Sequence, residues 1–396
     1  AVLSNAQRNF TIQEATMPGQ TGFAVENIAG AQWKDDLHIT YLDNKYQNLL
    51  IRNVKTNEIK TFITAEDFQI KIQKALNDDK ISLKRFPFSY QWISTSIVEF
   101  PISTSEKNYK VQYDVLKDQL IHSISYPTNA NEEDFASDFS YVVWLKDNNL
   151  MVTFSDGKEV QVTNDEKSII NGSSSTHRNE FGINKGLWIS PDNKKIMFYS
   201  KDETSVSDYP LVNFSSRVAE VTNIKYPMAG MKSEEVRLNI YDVASGKITT
   251  LAIDGPKEQF LTMPTWVPNS ENVLVGILNR EQNHLKVQNY NASTGKLVAT
   301  LFEQNDKAYV EPSHSFQFLE GSKDKFVYVT DKDGYRQMYL YNLSGKLLKK
   351  LGHSYVIFKN IVGQDAKHLY YTGTANKGMD IQLYKVNIQS GKTERI

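Results

Sequence analysis

The sequence predicts an all-β protein, an eight-bladed β-propeller, with a seven-bladed propeller as the alternative. A phrase of the type strand, tight turn, strand recurs about every 50 residues along the chain. A second phrase of the same type precedes most copies, so each repeat supplies the four strands of one propeller blade. Aromatic residues make up 11% of the chain, which favours strands, and helical periodicity is nearly absent.

The recurring phrase is clearest in the second half of the chain. Four copies, "YDVASGKITTL", "YNASTGKLVATL", "YNLSGKLLKKL" and "VNIQSGKTERI", have turn glycines at intervals of 49, 50 and 46 residues: Gly246, Gly295, Gly345 and Gly391. Earlier and weaker copies turn at Asn57, Asp118 and Gly157. The 89 residues between the turns at 157 and 246 leave room for two units, which makes about eight units in all. A β-sandwich is the alternative, but it does not explain so regular a recurrence.

One stretch has helical periodicity. In "TAEDFQIKIQKALNDDK" (64–80), the apolar residues Phe68, Ile72 and Leu76 are spaced four apart and share one face of a helix. This spacing predicts a short helix or insertion between the first two blades.

Composition excludes several classes of function. The net charge of -1 provides no basic field for nucleic acid or for anionic membranes, and the absence of Cys excludes disulfides and thiolate zinc sites. No apolar run reaches the ~18–20 residues of a membrane span. None of the seven His forms an H-x-x-x-H or H-x-H pair, so no metal or cofactor is expected. We expect an N-terminal segment at 1–27 and a propeller at 28–396.

Familiar catalytic motifs are incomplete in this chain. "SGKT" (390–393) lacks the earlier glycine of a phosphate loop, since position 386 is Val. "GHSYV" (352–356) resembles a nucleophile elbow around Ser354, but it ends on Val356 instead of Gly. Both phrases are interpreted as turns, and no G-x-S-x-G occurs in the chain.

Two polar regions are not explained by the repeating strands of a propeller. The first is "HRNEFG" (177–182), which ends a polar run just before a predicted strand. The second is a long connector at 200–236 with two Tyr-Pro pairs, which predicts an inserted segment at the rim or an oligomer contact. The carboxylates Glu234 and Glu235 lie in this connector, and we expect them to be solvated.

Several phrases resemble the propeller domain of the dipeptidyl peptidase IV family, in the prolyl oligopeptidase clan of serine peptidases. They occur in the family's order and span most of the chain. They are "NYKVQYDVL" (108–116), "EFGINKGLWISPDNKKIMFY" (180–199), "YP" (209–210), "KYPMAGMKSEEVRLNIYD" (225–242), "DKDGYRQMYLYNL" (331–343) and "HLYYTGTANKGMDIQLYKV" (368–386).

The resemblance implies a function for a longer protein. Family members carry a C-terminal α/β-hydrolase domain with a Ser-Asp-His triad, which we expect to be absent from this chain, so the chain alone is not catalytic. The propeller would admit short peptides with a free N-terminus to that domain, its partner. The resemblance also implies a periplasmic or secreted dipeptidyl or tripeptidyl peptidase that can form a homodimer. The alternatives are a non-catalytic, peptide- or protein-binding propeller in an inactive relative, or an unrelated protein-binding propeller.

Family members bind the substrate's α-ammonium with a Glu-Glu pair, oriented by an Arg from another blade. This sequence departs from that pattern: Arg178 and Asn179 align with the Glu pair, Glu180 follows one place later, and Glu106 aligns with the Arg. The expected substrate-binding residues are therefore Glu180, Asn179, Arg178 and Glu106. Either Glu180 acts alone beside Asn179, or Glu106 and Arg178 form a swapped ion pair.

Overall fold

The computed structural model describes residues 9–22, 28–353 and 355–396. Part of the predicted N-terminal segment, and also Ser354, lie outside the described residues. The chain divides into two compact units, Ala1–Thr128 and Asn129–Ile396. Sheets of four antiparallel strands, the blades of the propeller, make up most of both units.

The first unit contains two blades. It begins with two short helices, α1 (Ile12–Thr16) and α2 (Pro18–Thr21). Blade one consists of β1 (Ala29–Asp35), β2 (His38–Leu42), β3 (Asn48–Asn53) and β4 (Ile59–Thr64). Helix α3 (Ala65–Leu76) follows. Blade two consists of β5 (Gln91–Trp92), β6 (Ile97–Ser103), β7 (Lys107–Asp114) and β8 (Gln119–Pro127).

Helix α3 confirms the predicted helix between the first two blades. The hydroxyl of Thr64 accepts a hydrogen bond from the Asp67 backbone N–H at 3.0 Å and caps the first turn. Phe68 and Ile72 are fully buried, and the Phe68 ring lies 4.7 Å from that of Phe100 in β6. The apolar face seen in the sequence therefore packs against a blade, as amphipathic helices do.

The second unit begins with blades three and four. Blade three consists of β9 (Asn131–Phe135), β10 (Tyr141–Lys146), β11 (Asn149–Phe154) and β12 (Glu159–Gln161). Blade four begins with β13 (Ile169–Asn171), β14 (Leu187–Ile189) and β15 (Lys195–Asp202). A separate hairpin of β16 (Asp208–Asn213) and β17 (Glu220–Lys225) follows, and β18 (Glu235–Asp242) and β19 (Ile248–Thr250) complete the blade. We call the segment 203–234 that holds the hairpin the arm.

Three more blades complete the second unit. Blade five consists of β20 (Phe260–Trp266), β21 (Asn272–Leu278), β22 (His284–Asn291) and β23 (Leu297–Asn305). Blade six consists of β24 (Gln317–Phe318), β25 (Lys325–Thr330), β26 (Gln337–Asn342) and β27 (Leu347–Leu351). Blade seven consists of β28 (Phe358–Gln364), β29 (His368–Ala375), β30 (Asp380–Asn387) and β31 (Thr393–Arg395). Single 3₁₀ turns occur at Thr176–Asn179 and Asn376–Gly378.

The all-β propeller is confirmed, but the prediction of eight blades is wrong. The described residues form seven blades, which is the alternative that the sequence left open. The error arises between the turns at 157 and 246, where the spacing suggested two units. The structure forms one blade there and places the remaining residues in the loop between β13 and β14 and in the arm.

The predicted turn residues join the two outer strands of all seven blades. Each has a positive φ, from 53° at Asp118 to 87° at Gly157, which Gly, Asn and Asp adopt most readily. Gly295 and Gly345 are also sterically required. A Cβ at Gly345 would overlap the Leu301 carbonyl oxygen in the preceding blade, and one at Gly295 would overlap that of Thr250. At these two turns the glycine thus lets the backbones of adjacent blades touch.

The core of the second unit lies between blades. Met197 and Leu238 of blade four are fully buried and belong to one cluster with Val273 and Val275 of blade five. These side chains alternate along their strands with residues that face the other side of the sheet. Packing between sheets therefore holds blade four, and the loop it carries, against blade five.

Candidate functional site

The candidate site is built on an interruption of blade four. Strand β13 pairs with one end of β15, at residues 200–202, and β14 pairs with the other end, at residues 196–198. The chain leaves the sheet after Asn171 and returns at Leu187. We call this excursion, residues 172–186, the blade-four loop. It contains the whole of "HRNEFG".

The tip of the blade-four loop has a left-handed backbone. His177, Arg178, Asn179 and Phe181 have φ values of 49°, 56°, 62° and 57°. This conformation is unfavourable for residues with a Cβ and persists only where the surroundings enforce it. Gly182 follows with φ 70°, and a Cβ there would overlap the carbonyl oxygen of Ser313. Close packing on Ser313 therefore fixes the path of the tip.

His177 anchors the loop and is not placed to react. It is 4% exposed, and its Nε2 accepts a hydrogen bond from the Leu261 backbone N–H at 3.0 Å. The ring proton therefore resides on Nδ1, which faces Glu234 Oε1 at 3.8 Å. Burial lowers the pKa of His177 to about 3, assisted by the positive charges of Lys201 and Arg280. The imidazole is neutral at physiological pH.

Arg178 joins the blade-four loop to the base of the arm. Its Nη2 donates a hydrogen bond to the carbonyl oxygen of Lys225 at 2.8 Å, at the end of β17. Its guanidinium lies 5.0 Å from the ring centre of Tyr226, within the range of a cation–π contact. Its Nε lies 3.8 Å from Glu234 Oε2. Arg178 is thus occupied by contacts within the protein.

Glu234 is buried, so the expectation that it is solvated is wrong. It is 4% exposed, and its Oε2 accepts no hydrogen bond within the described part of the chain. Burial raises the pKa of its carboxyl, and the nearby positive charges of Lys201 and Arg178 oppose this effect. The last residue of the arm therefore places a carboxylate beneath the loop tip, where it faces Arg178.

Glu180 and Asn179 are both exposed at the loop tip. The amide of Asn179 donates a hydrogen bond to the Ser174 carbonyl oxygen at 3.0 Å, within the loop. The carboxylate of Glu180 has no ion pair or hydrogen bond with any residue that the structure describes. It lines a cleft of about 320 Å³ together with Arg178, Glu234, Tyr226, Phe260 and Arg280.

Sequence reasoning missed Arg280, which lines the same cleft. It belongs to the turn between β21 and β22, and its guanidinium lies 5.2 Å from the ring centre of Phe260. It is exposed. The sequence "LNREQN" is an ordinary polar turn, and only the packing of blade five against blade four brings it to this cleft.

Glu106 lies in the first unit. It belongs to the turn between β6 and β7 and forms an exposed ion pair with Lys80. The swapped ion pair with Arg178 stays a prediction. Within their own units, Glu106 pairs with Lys80 and Arg178 lies beside Glu234. Arg178 and Glu180 are the two predicted site residues that line one cleft.

Seven blades, one of them interrupted by a loop that lines a charged cleft, define the class of the protein as a seven-bladed β-propeller. The family model described as "Dipeptidyl peptidase IV (DPP IV) N-terminal region" matches residues 102–396. Since this match covers about three quarters of the chain, the chain belongs to the dipeptidyl peptidase IV family and contains its N-terminal propeller region.

Individual relatives agree with this assignment. The chain is 24% identical to a "Probable dipeptidyl-aminopeptidase B" of Podospora anserina, over 97% of this chain and 48% of that protein. It is 29% identical to one of Pyrenophora teres, over 64% of this chain and 32% of that protein. The chain thus spans about half, or less, of the length of these relatives.

Solved structures show the same fold. A "putative dipeptidyl aminopeptidase IV" from Bacteroides ovatus superposes with a TM-score of 0.80 at 30% identity, over 93% of this chain and 53% of that one. Dipeptidyl peptidase 4 of Porphyromonas gingivalis superposes with a TM-score of 0.74 at 21% identity, over 98% of this chain and 55% of that one. No helix in the described residues has the length and apolar character that a membrane crossing needs.

Proposed function

We propose that this chain is the substrate-selecting propeller of a serine exopeptidase that removes dipeptides or tripeptides from free N-termini. Catalysis would reside in an α/β-hydrolase domain of the whole protein. Family membership supports this proposal, as do the peptidase names of relatives that are about twice as long. We further propose that the whole protein is periplasmic or secreted.

The observation that carries the proposal is the free carboxylate of Glu180 on a rigid loop tip. A peptide's α-ammonium is a compact cation with three donors, and a carboxylate binds it through charge-assisted hydrogen bonds. Because Gly182 packs on Ser313 and His177 is anchored beneath the tip, Glu180 would hold that ammonium at a fixed point. A fixed ammonium sets how many residues reach the hydrolase nucleophile, which determines the length of the released peptide.

The other predicted site residues take supporting roles in this proposal. Asn179 would offer a neutral amide beside the ammonium. Arg178 is a positioning residue, because its guanidinium is already engaged by Lys225, Tyr226 and Glu234 and so fixes the loop. Glu106 stays a proposed substrate-binding residue, and its exposed ion pair with Lys80 can exchange for another partner.

Kinetics of the whole protein test the proposal. Glu180→Gln keeps the shape of the side chain and removes its charge. It should raise KM for peptides with a free N-terminus about 10- to 100-fold, since a hydrogen bond to a charged group contributes about 1.5–3 kcal/mol. The matched control is Glu271→Gln, an exposed glutamate on the turn before β21. Unchanged KM in Glu180→Gln, with an active protein, would remove Glu180 from this role.

A second candidate function is a non-catalytic, peptide-binding propeller. The departure from the family's Glu pair favours it, because Arg178 places a cation where the family has a carboxylate. The two candidates separate on a single preparation of the whole protein. Cleavage of Xaa-Pro or Xaa-Ala chromogenic substrates supports the exopeptidase, whereas peptide binding in calorimetry without any cleavage supports the binding module.

We also propose that the whole protein forms a homodimer through the arm. The hairpin exposes a group of large apolar side chains between 42% and 80% accessible: Tyr209, Leu211, Val212, Phe214, Val218 and Val221. Exposed apolar groups of this size are typical of interaction surfaces. Sedimentation of the whole protein and of a Phe214→Asp, Val221→Asp variant tests this proposal: the variant should be monomeric, and an unchanged dimer would contradict it.

A further inference from the structure

The cleft beneath the loop tip contains four charged side chains, and two of them are already paired. Arg178 faces Glu234 and donates to the Lys225 carbonyl oxygen, so these two charges are compensated within the protein. Glu180 and Arg280 are exposed and have no ion pair with any described residue. The cleft therefore presents one free negative and one free positive group to a ligand.

Arg280 and the residue next to Glu180 contact the same aromatic ring. Phe181, the neighbour of Glu180, packs on Phe260 with ring centres 4.9 Å apart. Arg280 lies over Phe260 at 5.2 Å. A guanidinium held against a ring keeps its N–H edge available for a planar anion. The ring of Phe260 thus supports both Arg280 and the loop residue next to Glu180, and both charged residues line the same cleft.

The turn that carries Arg280 is rigid. Asn279 Oδ1 accepts hydrogen bonds from the backbone N–H groups of Asn283 and His284, both at 2.9 Å. Gln282 adopts φ 57° and donates its backbone N–H to the Asn279 carbonyl oxygen at 3.0 Å. The backbone that carries the guanidinium is therefore fixed before a ligand binds.

We propose that the cleft binds a zwitterionic peptide end, with the α-ammonium on Glu180 and a carboxylate on Arg280. This inference rests on the proposed function, because it assigns the ammonium to Glu180. The carboxylate comes either from the side chain of an N-terminal Asp or Glu, or from the C-terminus of a released dipeptide. Arg280 is then a specificity-determining residue, since guanidinium and carboxylate match in a bidentate geometry. A cleft of about 320 Å³ is at the lower end of the range for small ligands.

Calorimetry on the 396-residue chain separates the two sources of the carboxylate. One pair of titrations compares Asp-Ala-Ala-amide with Asn-Ala-Ala-amide. The other pair compares the dipeptide Ala-Ala with its amide. In the wild-type protein we expect the carboxylate member of one pair to bind about 10-fold more tightly, with the preference reduced by added salt. The pair that shows this preference identifies the source.

Variants then assign the preference to a residue. Arg280→Gln should abolish the 10-fold preference and leave the affinity for Asn-Ala-Ala-amide unchanged, and Arg280→Lys should restore part of the preference. Arg217→Gln, an exposed arginine of the arm, is the control for lost charge and should retain the preference. Glu180→Gln should lower the affinity for all peptides with a free amine by a similar factor.

Different results would contradict the proposed role of Glu180 and the proposed role of Arg280. If Glu180→Gln weakens binding but Arg280→Gln preserves every ratio, the inference about Arg280 is wrong and the proposed function stands. If Glu180→Gln changes nothing, the proposed function itself is wrong. Binding of none of these peptides by the wild-type chain at millimolar concentration would overturn the inference.

Discussion

The blade-four loop and the outer blade turns use the same left-handed backbone in opposite ways. The outer turns place Gly, Asn or Asp at the left-handed position, and neighbouring backbone groups satisfy them. The blade-four loop places His177, Arg178, Asn179 and Phe181 there, and distant contacts with Leu261, Lys225 and Phe260 hold them. A repeat turn is thus a local structure, whereas the loop tip depends on tertiary contacts, as strained functional segments often do.

The largest expected effect is on the glycine that closes the loop tip. Gly182→Ala should lower the free energy of unfolding by about 3 kcal/mol or more, because it adds left-handed strain and a clash with the backbone of Ser313. Gly246→Ala, in an outer turn with open space around it, should cost only about 1 kcal/mol. Chemical denaturation of both variants measures the difference. Equal losses would show that the loop tip is no more constrained than a repeat turn.

The next effect concerns the contact between the loop and the arm. Arg178→Met should destabilise the protein by about 2 kcal/mol, because it leaves the Glu234 carboxylate buried without its nearest cation. Glu234→Gln in the same background should recover part of that loss. A double-mutant cycle should therefore give a coupling of about 1 kcal/mol. Strict additivity would mean that the two side chains are independent.

A third effect appears on acidification. The folded-state pKa of His177 lies near 3, below the ordinary value of 6.5, so the unfolded chain binds the proton first as the pH falls. The stability contributed by the neutral imidazole is present at pH 7 and is lost progressively as the pH falls from 6.5 toward 3. Between pH 7 and pH 5, this one group should cost about 2 kcal/mol.

A variant comparison isolates that histidine from other titrating groups. Urea unfolding of the wild type and of His177→Gln at pH 7 and pH 5 gives two differences in stability. The difference between the two proteins should shrink by about 2 kcal/mol at the lower pH. His122→Gln, a change at an exposed histidine, should show no such convergence. Parallel pH profiles for wild type and His177→Gln would contradict the assignment of a buried, neutral His177.

The outer turns could be predicted because their cause is local. A position that needs positive φ selects Gly, Asn or Asp, so the seven turns and their spacing can be recognised in the sequence. Helix α3 was predictable for a similar reason, since Phe68 and Ile72 recur at helical spacing. The number of blades was not predictable, because the blade-four loop and the arm together occupy about the length of sequence that one blade needs.

The cleft was only partly predictable for the opposite reason. Glu180 was identified from its resemblance to a family motif, and its exposure agrees with a ligand-binding role. The polar sequence around Glu234 predicted a solvated connector residue, yet Glu234 is buried because the arm returns beneath the loop tip. Arg280 lies 100 residues beyond Glu180 in the sequence. Only the packing between blades four and five brings these side chains to one cleft.

The most direct test of the central claim compares two peptides that differ at one group. Calorimetry of Ala-Ala-Ala-amide and of its N-acetyl form, on the wild-type chain and on Glu180→Gln, isolates the contribution of the ammonium. The account predicts at least a 10-fold preference for the free amine in the wild type and nearly equal affinities in Glu180→Gln. An unchanged preference in Glu180→Gln would contradict the claim that Glu180 recognises the substrate's N-terminus.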